Sequence, residues 1–403
     1  MSNAVISRQH DRRKLPDGWR WVRLGNFMPK SVSSLDPVMT PNEIYNLYSI
    51  PAFDRGAPEV VCGSMVGSTK QVVLSGDVLL SKIVPHIRRA WAVRDNTNKK
   101  MIASTEWIIF RTNDADSDYL KYVLTDNNFH REFMNTTSGV GGSLLRARPA
   151  LVAQIEIPLP SLLEQRRIAA ALREQMAAVD KARAAAQARL ATIKDLPAAF
   201  LRQVFAPPGQ SLPEGWRWVR LGDVASIIPG QHIMEADYNY NHIGVGYLTG
   251  PADFGESTAL ITKWTEKPKT FAVPGDILVT VKGAGVGKTN LAPTEKVAIG
   301  RQLMAVRATP DFFMGDFLYL FIMTQLAILS GRALGATVPG LGRADLESLQ
   351  LPLSPLLEQQ RIVGILKEQM AAVKKIRAAA EVELEMVNTL PAALLRRAFA
   401  GEI

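Results

Sequence analysis

The chain carries one sequence twice, and that duplication restricts its fold more than any other feature. Leu15-Pro-Asp-Gly-Trp-Arg-Trp-Val-Arg-Leu-Gly25 recurs as Leu212-Pro-Glu-Gly-Trp-Arg-Trp-Val-Arg-Leu-Gly222, 197 residues later. Ser75-Gly-Asp-Val-Leu79 returns as Pro274-Gly-Asp-Ile-Leu278, and Leu162-Leu-Glu-Gln-Arg166 as Leu356-Leu-Glu-Gln-Gln360. Leu196-Pro-Ala-Ala returns as Leu390-Pro-Ala-Ala, so four blocks keep their order and nearly their spacing. A repeat of about 195 residues far exceeds the roughly 20–50 residues of a stacked solenoid unit, so each copy must hold its own core. With 403 residues, 47% of them apolar, the chain has the material for two such cores and does not read as disordered.

Each copy reads as a mixed α and β globular part followed by a long helix. The globular parts run from 15 to 158 and from 212 to 352. Alternation over Trp19–Leu24 predicts a strand, while Gly76-Asp77 and Gly275-Asp276 predict tight turns opening buried strands at Val78–Leu80 and Ile277–Thr280. Tyr119–Leu124 and Phe317–Ile328 predict helices. From Leu162 to Leu196 there is neither Gly nor Pro, and good helix formers dominate. The apolar seam steps by four and three through Ile168, Leu172, Gln175, Val179, Ala182, Ala186, Leu190 and Ile193. The second copy repeats it through Ile362, Leu366, Gln369, Val373, Ile376, Ala380, Leu384 and Val387, the spacing of a helix that packs on another helix. Pro197 and Pro391 are expected to end these helices, each followed by a short helix over Ala198–Phe205 or Ala392–Phe399.

Two equivalent helices in one chain pack most simply on each other, antiparallel about a pseudo-two-fold axis. The expected fold class is α+β, with two pseudo-symmetric mixed α/β domains separated by two long antiparallel coiled-coil-like helices. The boundaries are 1–160 and 207–354 for the domains, 161–206 for the central helical spacer and 355–403 for the C-terminal one. Residues 400 and 15 are then expected side by side, closing a pseudo-symmetric ring.

Catalytic patterns are missing. Lys282-Gly-Ala-Gly-Val-Gly-Lys288-Thr289 resembles a phosphate loop, but the first glycine that such a loop requires falls on Lys282. A basic, glycine-rich loop that contacts phosphates or bases is the better reading, because backbone amides and lysine suit polyanions generally. The five histidines lack metal-ligand spacing, and the single cysteine, Cys62, excludes an internal disulfide or a cysteine-built zinc site. No nucleophile elbow or glycine-rich cofactor loop is present, so no cofactor is expected. Glu106, Asp114 and Asp116 lie in polar stretches and read as solvated. The net charge of +9 favours a polyanionic partner. No apolar leader opens the chain, and the most apolar run, Phe317 to Leu329, is too short to span a bilayer, so a cytoplasmic protein with no membrane contact is expected.

Pro158-Leu-Pro-Ser-Leu-Leu-Glu-Gln-Arg-Arg-Ile168 and its echo Pro352-Leu-Ser-Pro-Leu-Leu-Glu-Gln-Gln-Arg-Ile362 resemble the specificity subunits of type I restriction–modification systems. So do the Leu-Pro-x-Gly-Trp-x-Trp-Val-x-Leu-Gly opening of each copy and its Gly-Asp-Val/Ile-Leu block, and the resemblance spans about residues 15 to 400. It implies that each globular part is a target recognition domain reading one half of a split, asymmetric site on double-stranded DNA. It implies further that the paired helices set the gap and dock two modification (methyltransferase) subunits, with restriction subunits joining the full complex. The chain itself would be non-catalytic. The rival reading is a coiled-coil adaptor whose globular ends bind proteins.

The DNA-contacting candidates are basic residues in matching loops. In the first domain these are Lys82, His86, Arg88 and Arg89, with Arg146 and Arg148 in the glycine-rich stretch Thr137–Arg148. The second domain offers Lys282, Lys288 and Thr289, with Arg332 and Arg343 bounding a similar stretch. The candidates for the helix and partner-subunit interface are Leu162, Glu164, Gln165, Ile168, Leu172 and Val179, and in the second copy Leu356, Glu358, Gln359, Ile362, Leu366 and Val373. The leucines are expected to pack, and the polar face to meet the partner.

Overall fold

The computed structural model describes residues 15–95, 98–139, 145–205, 210–283, 285–332 and 340–403, and the side chains of all of these except 327–332. The chain divides into two compact units: residues 1–187 with 383–403, and residues 188–382. Each unit therefore joins one globular part to the start of the long helix that follows it and to the end of the other long helix.

In the first unit the opening strand Arg20–Arg23 pairs antiparallel with Glu156–Leu159, the strand just before the long helix. A five-stranded sheet is ordered Ser34–Leu35, Lys70–Val72, Lys100–Ala103, Ile44–Tyr48, Glu59–Cys62. A three-stranded sheet places Val78–Ser81 between Ala90–Ala92 and Trp107–Phe110. The second unit repeats the plan. Arg217–Arg220 pairs with Gln350–Leu353, and Ile277–Thr280 lies between Leu303–Ala308 and Thr289–Leu291. Each unit holds a parallel strand pair, Ile44–Tyr48 with Lys100–Ala103 and Val245–Leu248 with Val297–Ile299.

The repeated residues explain the repeated frame. Leu24 and Leu221, from the shared opening block, are fully buried in the two main cores. Gly25 and Gly222 follow because a Cβ there would come within 3.0 Å of the Ala153 carbonyl oxygen or the Glu347 side chain. Gly76 and Gly275 hold φ of +92° and +88°, a conformation that glycine adopts without steric cost. The helices Ser117–Val123 and Gly315–Arg332 lay Tyr119, Leu120, Phe317 and Phe321 into those cores. The run Phe317–Leu329 is thus part of a core helix, and among the described residues no helix is long and apolar enough to cross a membrane.

The long helices span Leu162–Val204 and Leu356–Ala398. They continue through Pro197 and Pro391, which corrects the expectation that the prolines end them. A mid-helix proline forfeits one backbone hydrogen bond and costs about 3 kcal/mol. The turns beyond offset that by burial: Leu201 and Phe205 enter the core of the second unit, Leu395 and Ala398 that of the first. Burying one such large apolar side chain contributes about 1.5–3 kcal/mol.

The helices run antiparallel. In the first unit Arg167 reaches the Ile403 carbonyl, and Arg183 Nε donates to Asn388 Oδ1 at 2.9 Å. In the second, Ile193 packs with Val373 and Ala380. The seam is stricter than the sequence reading had it. Leu172, Val179, Ala186 and Ile193, and Leu366, Val373 and Ala380, are buried at intervals of seven, whereas Ala182 and Ile376 point to solvent. A seven-residue interval keeps one stripe on the partner helix, and the positions three residues beyond Val179 and Val373 lie exposed beside it. The ends of the described chain also meet, since a Cβ on Gly401 would lie 2.6 Å from the Pro16 ring.

Candidate nucleic-acid interface

Each domain supports its basic loop on the same scaffold. The turn aspartates Asp77 and Asp276 are almost fully buried, and each takes a bidentate pair of hydrogen bonds from an arginine, one just past the strand Trp107–Phe110 and one within Leu303–Ala308. Arg111 donates to Asp77 at 2.8 and 2.7 Å, and Arg307 to Asp276 at 2.8 Å twice. Each carboxylate also accepts from its own turn, from Leu74 N at 2.8 Å or Val273 N at 2.9 Å. Removing one member of such a pair leaves a buried charge and costs about 3–5 kcal/mol. Sequence reading missed both arginines, although aligning the copies on Phe110-Arg-Thr112 and Val306-Arg-Ala-Thr309 would have paired them.

In the first domain the loop after Val78–Ser81 is tied at its base, where Lys82 N donates to the Glu106 carbonyl at 3.0 Å and Ala147 N to the Lys82 carbonyl at 2.7 Å. Val84 holds φ +47°, the left-handed region that a β-branched residue occupies only under strain of about 1–3 kcal/mol. His86, Ile87 and Arg88 stand exposed on the loop. The Arg88 guanidinium donates to the Thr125 carbonyl at 3.2 Å and Asn127 Oδ1 at 2.6 Å. Arg89 is buried and grips Asp54 at 2.8 and 2.9 Å, so grouping it with the exposed cluster is corrected. It sits opposite Ser81 in the sheet and faces inward, while its neighbour Arg88 faces out. Burial, then the charges of Arg88 and His86, hold the His130 imidazole below its usual range, which adds His130 to this basic patch. Arg146 pairs with Glu106 at 3.2 Å and remains over half exposed. Arg148 is exposed at the start of the helix Pro149–Val152.

The matching loop of the second domain is a hairpin. Thr280 N donates to the Lys288 carbonyl at 2.8 Å and Gly287 N to the Thr280 carbonyl at 2.9 Å. A strand, Thr289–Leu291, follows it, where a phosphate loop would open a helix. Lys282 and Lys288 are exposed, and the half-buried Thr289 bonds the Tyr319 hydroxyl. Arg343 is exposed and pairs with Glu347 at 2.7 Å. The Arg332 side chain, and residues 140–144 and 333–339 of the two glycine-rich stretches, lie outside the described residues.

The helix starts separate into two groups. Gln165 and Gln359 are wholly buried, which corrects the expectation that they face a partner. Gln165 Oε1 accepts from Asp116 N at 2.8 Å, and Nε2 donates to the Pro160 and Asp114 carbonyls at 2.9 and 3.2 Å. Gln359 does the same with Met314 N, Phe312 and Ser354. Ile168, Leu172, Ile362 and Leu366 belong to the cores of their own domains, and Val179 and Val373 to the helix seam. Leu162 and Leu356 and the more exposed Leu163 and Leu357 stand outside, which corrects the expectation that these leucines pack, and beside them lie the bidentate pairs Glu164–Arg167 and Glu358–Arg361. Those arginines hold both glutamates below the usual carboxylate range.

Comparison with known proteins agrees with this double architecture. The family model of the type I restriction modification DNA specificity domain matches residues 213–385. The type I restriction enzyme EcoDI specificity subunit of Escherichia coli is 24% identical over 97% of this chain and 90% of its own length. The MjaX specificity subunit of Methanocaldococcus jannaschii is 33% identical, and there the match spans about half of each protein, 53% of this chain and 52% of the relative. The crystal structure of the HsdS subunit from Thermoanaerobacter tengcongensis is 32% identical with a TM-score of 0.68, over 97% of this chain and 98% of that one. A chain from a structural study of complex assembly and conformational transition in the type I R-M system is 31% identical with a TM-score of 0.86, over 97% and 100%. A duplicated frame matched along nearly its whole length by such subunits places this chain in the family of type I restriction–modification specificity subunits, whose role is DNA sequence specificity.

Proposed function

We propose that this protein reads a bipartite, asymmetric site on double-stranded DNA and scaffolds the subunits that act there. Residues 1–160 and 207–354 would be the target recognition domains, and 161–206 and 355–403 the helical spacers between them. The observation that carries this reading is a frame conserved between the copies around loops that differ. The Asp–Arg pairs and the buried glutamines recur residue for residue, while the loops at 82–89 and 282–288 share only their basic character. Two domains of one frame and unlike loops suit two unlike half-sites.

Lys82, His86, Arg88, Arg146 and Arg148 would meet DNA in the first half, and Lys282, Lys288, Thr289, Arg332 and Arg343 in the second. The exposed helix starts, with Leu162, Leu163, Glu164 and their counterparts Leu356, Leu357 and Glu358, would receive two modification subunits. Those subunits and the restriction subunits carry the chemistry, in the cytoplasm, and this chain supplies none. Mapping methylated bases in DNA from cells carrying this protein with its modification subunit tests the reading. A split motif with unlike halves is expected; a continuous palindrome would overturn it.

A further inference from the structure

Building on the reading of the two domains as DNA readers, we propose that one tight turn in each domain is its base-reading corner. The corner uses Arg146 steadied by Glu106 in the first domain, and Arg301 with Gln302 in the second. These turns are Ser104–Trp107 and Gly300–Leu303, which link the inner strand of the parallel pair to the next strand. Backbone hydrogen bonds make them equivalent. Trp107 N donates to the Ser104 carbonyl at 3.2 Å and Leu303 N to the Gly300 carbonyl at 2.9 Å. The loop base meets the turn through Lys82 N and the Glu106 carbonyl at 3.0 Å, and through Val281 N and the Gln302 carbonyl at 2.8 Å. A third chain joins in the same way, Ala147 N to the Lys82 carbonyl at 2.7 Å and Leu341 N to the Val281 carbonyl at 2.9 Å.

Position 302 thus answers to 106, 301 to 105 and 340 to 146, and the side chains there have changed together. Where the first domain has the ion pair Glu106–Arg146, the second has the neutral Gln302 and Gly340. The lost arginine is replaced across the turn, because Arg301 stands where the first domain has Thr105. Each corner therefore keeps one exposed arginine beside its basic loop. Arg146 gives one guanidinium nitrogen to Glu106, and its side chain remains over half exposed. Arg301 is exposed and pairs with no carboxylate among the described residues. Gln302 is exposed as well, with its amide bonded to no described residue.

The chain makes room for that amide. A Cβ on Gly250 would strike Gln302 Oε1, and one on Gly283 would stand 3.9 Å from Nε2. Arginine suits the O6 and N7 acceptors of guanine, and a glutamine amide the N6 and N7 edge of adenine. A glutamine amide can bond a phosphate oxygen as well, and the recognised motif separates the two roles, since a phosphate contact carries no sequence information and a base contact does.

The test is the methylated motif of the complex of this protein with its modification subunit, for the wild type and for Glu106→Gln, Arg146→Ala, Arg301→Ala and Gln302→Glu. Arg146→Ala and Glu106→Gln are expected to relax discrimination at one position of one half-site, by roughly ten- to hundredfold for the arginine. Arg301→Ala and Gln302→Glu should do so in the other half-site only. Uniform loss of methylation with an unchanged motif, or changes falling in the same half for all four, would overturn the proposal. If the wild type gives a split motif that all four variants retain, this inference fails and the bipartite reading stands. A continuous wild-type motif removes both.

Discussion

Gln165 fastens the first recognition domain to its long helix, and replacing it with leucine isolates what that fastening contributes. Leucine keeps most of the volume and removes three hydrogen bonds made at 2.8, 2.9 and 3.2 Å. The groups stranded are the Asp116 N–H and the Pro160 and Asp114 carbonyls. Asp114 is exposed, so water can take over its carbonyl, whereas Pro160 is buried and Asp116 half-buried. A buried polar group left unpaired costs about 1–3 kcal/mol, so two of them predict a loss of about 2–6 kcal/mol. Urea unfolding followed by tryptophan fluorescence measures the total, and hydrogen exchange over residues 114–123 locates it. Gln359→Leu should show a similar loss, with faster exchange over 312–322, because its three bonds are the same in kind. Gln165→Glu would place a carboxylate against two carbonyls. Burial would raise its pKa, so that variant's deficit should shrink as the pH falls and the acid regains a donor. A deficit below about 0.5 kcal/mol for Gln165→Leu, with unchanged exchange, would refute the reasoning, since surface substitutions already lie in that range.

Three further outcomes follow from the same structure. Lys288→Ala should weaken DNA binding for all sequences and lower the slope of log affinity against log salt by about one, as for the loss of one phosphate contact; a changed motif would contradict this role. His130 is held below its usual range by burial and by Arg88 and His86, so a phosphate against this patch should favour its protonated form. DNA affinity should then rise as pH falls through about 6.5, while the free protein loses stability over the same interval, because its unfolded state binds the proton more readily; titrations of wild type and His130→Gln at several pH values check both signs. A circular permutant joining Ile403 to Leu15 through a short linker, and opened at Pro207–Gly209, should fold and give the wild-type motif, because Gly401 already meets Pro16. Failure of that permutant to assemble with the modification subunit would argue against ring closure.

Much of the architecture is legible in the amino-acid sequence, because it rests on local pattern. The duplicated blocks, the turns at Gly76-Asp77 and Gly275-Asp276, and the two long helices all follow from residue order alone. The site was less legible. Arg88 and Arg89 are neighbours of the same type, yet one is exposed and the other buried on Asp54. Strand alternation sends adjacent side chains to opposite faces, but which face is inside depends on what covers it.

Residue order by itself determined that two like domains and two like helices had to form, since periodicity and turn chemistry act within a few residues. Tertiary structure decided what those elements do to one another. It carried the helices through Pro197 and Pro391, because burial of Leu201, Phe205 and Leu395 outweighs a missing hydrogen bond. It turned Gln165 and Gln359 inward, because only the folded domain presents a buried N–H and two carbonyls at amide spacing. It also brought Glu106 to Arg146 across 40 residues of chain, a pairing that depends on how three strands meet and that no local pattern encodes.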